Sequence, residues 1–118
     1  LLLSNGQKQL LAFARVLLKN PDIIILDEAT SSIDSKTEQL IQNCINTQFK
    51  DKTCIFIAHR LSTIKDVDNI IYLDKGCILE QGSHYDLMKK KGIYYNLYTN
   101  QFYSKMLDAE LGTKEIDE

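Results

Sequence analysis

Apolar and polar positions change their period several times along this chain, and each change predicts an element. From Leu3-Ser4-Asn5-Gly6-Gln7 onward, Leu10, Leu11, Ala14, Leu17 and Leu18 recur on one helical face. Ser4 and Gln7 have the S-x-x-Q spacing of a capping box, in which the hydroxyl accepts from a first-turn amide and the glutamine reaches back. Asn20, placed before the only proline, Pro21, ends that helix. Ile23-Ile24-Ile25-Leu26 then runs apolar without alternation, which predicts a strand buried on both faces in a parallel sheet flanked by helices. The run stops at two adjacent acids, Asp27 and Glu28. A polar loop through Asp34 follows, and a second capping box, Ser35 and Glu38, opens a helix whose stripe of Leu40, Ile41, Cys44 and Ile45 is expected on the sheet.

Thr53 to Ala58, β-branched and aromatic, predicts a second strand that ends at His59-Arg60. Strand, helix and strand in this order are most simply a right-handed crossover with parallel pairing. Both strands then deliver their carboxyl ends, with Asp27, Glu28 and His59, to one edge, where open α/β sheets bind ligands. A short helical segment near Leu61 to Lys65 leads to a third strand over Asn69 to Asp74, a Lys75-Gly76 turn and an antiparallel return over Cys77 to Gly82. Ser83 and Asp86 mark a helix running to about Lys91, where Gly92 breaks it. Tyr94, Tyr95, Leu97, Tyr98, Phe102 and Tyr103 belong to a final amphipathic helix, and residues 104–118 form an acidic tail, frayed from Gly112. The fold class is α/β: a mainly parallel sheet with helices on its faces, a β-hairpin and C-terminal helices.

With 118 residues, the chain holds one modest domain. A net charge of -2 gives no bulk attraction to nucleic acid or anionic lipid, so partners must be read from local features. The late tyrosines have the look of a base-stacking surface, yet no basic stripe accompanies them, which favours packing and no nucleic acid. No apolar run approaches the ~20 residues that cross a bilayer. Cys44, Cys54 and Cys77, odd in number and without a C-x-x-C pair, predict buried free thiols in a reducing compartment, and His59 and His84 lack zinc-ligand spacing.

Two sites carry candidate chemistry. At the strand end, Asp27 suits a Mg²⁺ held through water, and Glu28 suits a group that orients or deprotonates water attacking a phosphoryl group. Taken alone, an apolar run followed by Asp-Glu is better explained by a strand that has ended, and its neighbours decide the matter. At the first helix start, Ser4 and the small Gly6 leave amides and a hydroxyl for a phosphate, whereas a plain cap already accounts for Ser4 and Gln7.

In this order and at these spacings, the motifs resemble the second half of the ATP-binding domain of ABC transporters, over Leu3 to about Phe102. Leu3 to Gln7 are similar to the signature motif, Ile23 to Asp27 to Walker B, Glu28 to its catalytic glutamate, Ser31 to Asp34 to the D-loop and His59 to the switch histidine. The phrasing of Ile25 to Ser32, Ile57 to Ile64 and Gly76 to His84 resembles the exporter branch, with Asn5 departing from the glycine more usual in the signature.

The resemblance implies part of a P-loop NTPase fold, with residues 1–103 forming the C-terminal half of the domain. It implies an ATPase at the cytoplasmic face of a membrane, working with a transmembrane domain of the same transporter. Two such domains would meet head to tail around ATP and Mg²⁺. Ser4, Asn5, Gly6 and Gln7 would face the partner's nucleotide, with Ser4 and Gly6 on its γ-phosphate. Asp27 would hold the metal, Glu28 poise the water, His59 bond the γ-phosphate and Asp34 link the two sites. The chain has no G-x-x-x-x-G-K-[ST] phosphate loop, so it is expected to begin inside a domain and to be inactive alone. A soluble ABC ATPase without membrane helices and a non-catalytic dimerisation module are the alternative expectations.

Overall fold

Helix α1, Asn5–Lys19, starts where the capping box puts it and ends on Asn20, whose left-handed backbone (φ 47) lets its N–H reach Val16 O and Leu17 O. The computed structural model describes residues 2–27, 35–61 and 64–116. They divide into two compact units, 1–59 and 60–118. In the first unit, α1 is followed by β1 (Ile23–Asp27), α2 (Ser35–Gln48) and β2 (Thr53–Ile57). The strands pair in parallel, Ile23 opposite Thr53 through Asp27 opposite Ile57, as the crossover reading expects. A backbone bond from Thr53 N to Asp22 O (3.0 Å) and a side-chain bond from Lys52 Nζ to Asn20 Oδ1 (2.7 Å) fix the entry to this register.

Two expectations for this unit are corrected. Of the expected α1 stripe, Leu10 turns inward, beside Gly6, Phe13 and Val16, whereas Leu11, Ala14, Leu17 and Leu18 are exposed. Apolar residues cover most of the circumference of α1, so its period allows two stripes. The one carrying Phe13 turns inward because that ring stacks on buried Phe49 at 5.9 Å. Nor is β1 buried on both faces. Ile24 is 4% exposed, and Leu26, Cys54 and Phe56 on the same face are half-buried, but Ile23 and Ile25 are 60% and 64% exposed, beside exposed Ile55 and Ile57. Among the described residues only one face of this sheet is covered. On α2, Ile41, Cys44 and Ile45 are half-buried as expected, whereas Leu40 is exposed.

The second unit holds a hairpin and two helices: β3 (Ile70–Asp74), β4 (Cys77–Gly82), α3 (His84–Lys90) and α4 (Ile93–Ile116). Lys75 and Gly76 both have positive φ (48 and 78), the requirement of the two-residue turn that follows strand twist. Ser83 caps α3 by accepting from Asp86 N at 3.1 Å, as its spacing predicts. Ile70, Leu87 and Tyr94 form the core, flanked by Leu61, Ile64, Val67, Met88 and Tyr98. The tyrosine reading holds for Tyr94 and Tyr98, which stack at 6.0 Å, while Phe102 and Tyr103 are exposed. Helix α4 runs unbroken across residue 104 and past Gly112, where a frayed tail was expected.

The hairpin contains an irregularity with a clear purpose. Tyr72 pairs with Glu80 but Leu73 with Ile78, so Leu79 is the extra residue of a bulge. Ile78 and Leu79 remain exposed while Glu80 turns inward, only 5% exposed. There its carboxylate accepts the N–H groups of Ile93 (2.6 Å) and Tyr94 (2.9 Å), closing the start of α4. Gly92 is required beside it, because a Cβ there would overlap Glu80 Oε1. The two amides, Tyr94 first, hold the Glu80 carboxyl below its ordinary value against the opposing effect of burial. Of the cysteines, Cys44 and Cys54 are half-buried, and burial raises the Cys54 thiol. Cys77, beside the hairpin turn, is exposed rather than buried; all three are free.

Candidate functional site

The residues with candidate chemistry that the structure describes lie in the first unit, at two places. The first is the start of α1. Ser4 adopts extended backbone, and its Oγ accepts from Gln7 N at 3.2 Å while Gln7 Oε1 accepts from Ser4 N at 2.9 Å. Both halves of the expected capping box are formed. Ser4, Asn5 and Gln7 are exposed and Gly6 is buried. The Ser4 bond to Gln7 N is at the long end of its class, so this hydroxyl can exchange one acceptor role for another at small cost. The positive end of the α1 dipole, with the first-turn N–H groups that a helix leaves without an intrahelical acceptor, faces the same way.

The second place is the carboxyl end of the parallel pair. Asp27 is the last residue of β1, exposed, and opposite Ile57; His59 follows two residues beyond Ile57 and is also exposed. The register thus brings Asp27 and His59 to one edge, as the crossover reading requires. Glu28, which continues the chain from Asp27, and Asp34 lie outside the described residues. Among the described residues no group of three His, Cys, Asp or Glu side chains is placed to enclose a metal ion. Sequence reasoning missed one feature of the first place: Gly6 packs against Thr37 of α2 so closely that a Cβ at position 6 would lie 2.8 Å from Thr37 Cγ2. No local signal could have shown it, since the contact joins residues far apart in the chain.

Residues 2–31, which run from the α1 cap through β1 and its acids, match the family model described as ABC transporter. Over 102 residues the chain is 52% identical to an ATP-dependent lipid A-core flippase of Blochmanniella floridana, covering 86% of this chain and 18% of the flippase. It is 58% identical over 99 residues to the multidrug resistance-like ATP-binding protein MdlB of Buchnera aphidicola subsp. Acyrthosiphon pisum (strain APS), covering 84% and 17%. A solved structure of a bacterial Atm1-family ABC exporter with ATP bound is similar at a TM-score of 0.75 and 48% identity, over 84% of this chain and 17% of that one. The chain belongs to the ATP-binding domains of ABC exporters.

As a segment of an ABC exporter domain, the chain spans less than a fifth of these relatives. Membership explains why a helix start, an acidic strand end and a histidine-terminated strand occur in one sequence. It also agrees with the observed α/β architecture of parallel pair, hairpin and helices. None of the described helices is long and apolar enough to cross a membrane.

Proposed function

We propose that this segment supplies the hydrolytic acids of one ATP site and the helix start of its neighbour in an exporter that couples ATP-driven closure to transport. The observation that carries the reading is the parallel register, which sets Asp27 and His59 at one edge with Glu28 next in the chain. Asp27 suits Mg²⁺: it is a single exposed carboxylate, and this ion takes one or two carboxylates and completes its octahedron with water and phosphate oxygens. Bound there, the metal would neutralise charge on the nucleotide phosphates. Glu28 orients the attacking water and takes its proton, and His59 hydrogen-bonds the γ-phosphate. Ser4 and Gly6 serve the nucleotide held by a second ABC domain, met head to tail, with Asn5 and Gln7 completing the motif and Asp34 linking the two sites.

A transmembrane domain of the same transporter is the mechanical partner, and the cytoplasmic face its location. The 118-residue chain by itself binds ATP weakly and hydrolyses none, because its sequence has no G-x-x-x-x-G-K-[ST] loop to cradle the β- and γ-phosphates. Mg²⁺ titration of ATP turnover by the full-length exporter tests the reading. Asp27→Asn lowers turnover by about 10²-fold or more and shifts the Mg²⁺ dependence upward. A variant with the parent's turnover and Mg²⁺ dependence would overturn it.

A further inference from the structure

The contact between Gly6 and Thr37 joins two parts of the machinery that sequence keeps apart. Gly6 is the second residue of α1 and is buried, with Ser4 two positions before it. Thr37 is the third residue of α2, half-buried, and follows the segment that ends in Asp34. A Cβ on residue 6 would stand 2.8 Å from Thr37 Cγ2, 3.1 Å from its Oγ1 and 3.3 Å from its Cβ. Gly6 is not among the residues with positive φ, so helical backbone alone would accept alanine there. What excludes a larger residue within this unit is Thr37.

From this geometry we infer that Thr37 is a positioning residue for the ATP reaction: its methyl group seats Gly6 and so sets where the first turn of α1 presents Ser4 and its amides. The first turn is short and hydrogen-bonded within itself, through the Ser4–Gln7 box and Lys8 N to Ser4 O at 2.9 Å. A displacement of Gly6 therefore carries Ser4 with it. Closely packed groups transmit such shifts because they have no slack to absorb them.

This inference rests on the proposed ATPase reading, and it is tested in the full-length exporter by ATP turnover as a function of ATP concentration, with Tm measured alongside. Gly6→Ala overlaps Thr37 and raises the ATP concentration for half-maximal turnover by about tenfold or more. Gly6→Ala combined with Thr37→Ala removes the overlapping Cγ2 and Oγ1 and restores most of that loss. If the pair regains Tm but not ATP dependence, Gly6 serves direct approach to phosphate and the inference falls. Thr37 variants probe the same contact with Gly6 left native, should Gly6→Ala not fold. Thr37→Val keeps the methyl and leaves ATP dependence near the parent's, whereas Thr37→Leu pushes on α1 and raises it. An unchanged ATP dependence in Thr37→Leu would also overturn the inference. Failure of the ATPase reading is separate: it shows as Glu28→Gln retaining full turnover, whatever the Thr37 variants do.

Discussion

At the start of α4, a buried carboxylate holds two backbone N–H groups at 2.6 and 2.9 Å; at the start of α1, an exposed hydroxyl holds one at 3.2 Å. The α4 start is closed from outside its own helix, by Glu80 on β4, with Gly92 making room. The α1 start carries a cap made by its own neighbours, Ser4 and Gln7. A start sealed by a buried charge is fixed, since removing Glu80 would leave buried donors without partners. One closed by an exposed, long hydrogen bond can be opened by a better acceptor such as a phosphate oxygen. The contrast separates a helix start that holds the fold from one suited to function.

The two units differ in the same sense. The second has a core of Ile70, Leu87 and Tyr94, and the Tyr94 N–H donates to buried Glu80. Among the described residues, the first carries the candidate chemistry on a core of Ile24 and Phe49, and leaves Ile23, Ile25, Ile55 and Ile57 exposed on one sheet face. Substitutions in the first unit's site should therefore change turnover more than stability, and substitutions around Glu80 the reverse.

The largest effect expected from this contrast is at Ser4. In the full-length exporter, Ser4→Arg places bulk and charge at the α1 start and lowers ATP turnover by about 10²-fold or more. The cap it removes is worth only about 1 kcal/mol of stability, so Tm falls little. A large fall in Tm with unchanged turnover per folded molecule would reverse the assignment of the two helix starts.

Next is Glu80→Ala, which strands the Ile93 and Tyr94 amides and destabilises the protein by about 3 kcal/mol. Because the folded carboxyl lies below its ordinary value of 4.5, the stability it confers is present above that pH and is lost as pH falls through the folded value. Thermal unfolding from neutral pH downward should show that loss in the parent and not in Glu80→Ala. Equal acid sensitivity in both would break the link between Glu80 and the α4 start.

A smaller effect is expected at Tyr94, which is 1% exposed and whose hydroxyl lies 2.8 Å from His84 Nδ1. Burial first, and then neighbouring Tyr98, push its phenol from 10.0 up to about 12. The stability this represents is complete below pH 10.0 and is lost as pH rises through about 12. Tyr94→Phe removes that alkaline dependence and, at neutral pH, costs about 1 kcal/mol in urea unfolding. An unchanged alkaline limb in Tyr94→Phe would assign it to another group.

Where a feature depends on neighbours in sequence, it could be read from the chain. The Ser4–Gln7 box, the Ser83 cap, the Lys75-Gly76 turn and the parallel pairing of β1 with β2 all formed as the sequence implies. The ordered motifs likewise sufficed to recognise the family. Features that depend on distant partners could not be read. The inward face of α1 was decided by Phe49, and the single covered face of β1 by which elements lie against it. Glu80 turns inward through a bulge whose benefit appears only at Ile93 and Tyr94. The sequence reading of Gly6 rests on its small size toward a ligand, and the structure adds its contact with Thr37. Periodicity reports which residues share a face, not what will meet that face.

The measurement that bears most directly on the proposed function is steady-state ATP turnover by the full-length exporter carrying Glu28→Gln, with nucleotide binding followed in the same preparation. A group that orients and deprotonates the attacking water contributes about 10²- to 10⁴-fold, so turnover should fall by that factor while ATP still binds. Turnover equal to the parent's, with ATP bound normally, would contradict the role given to Glu28 and to the acidic end of β1.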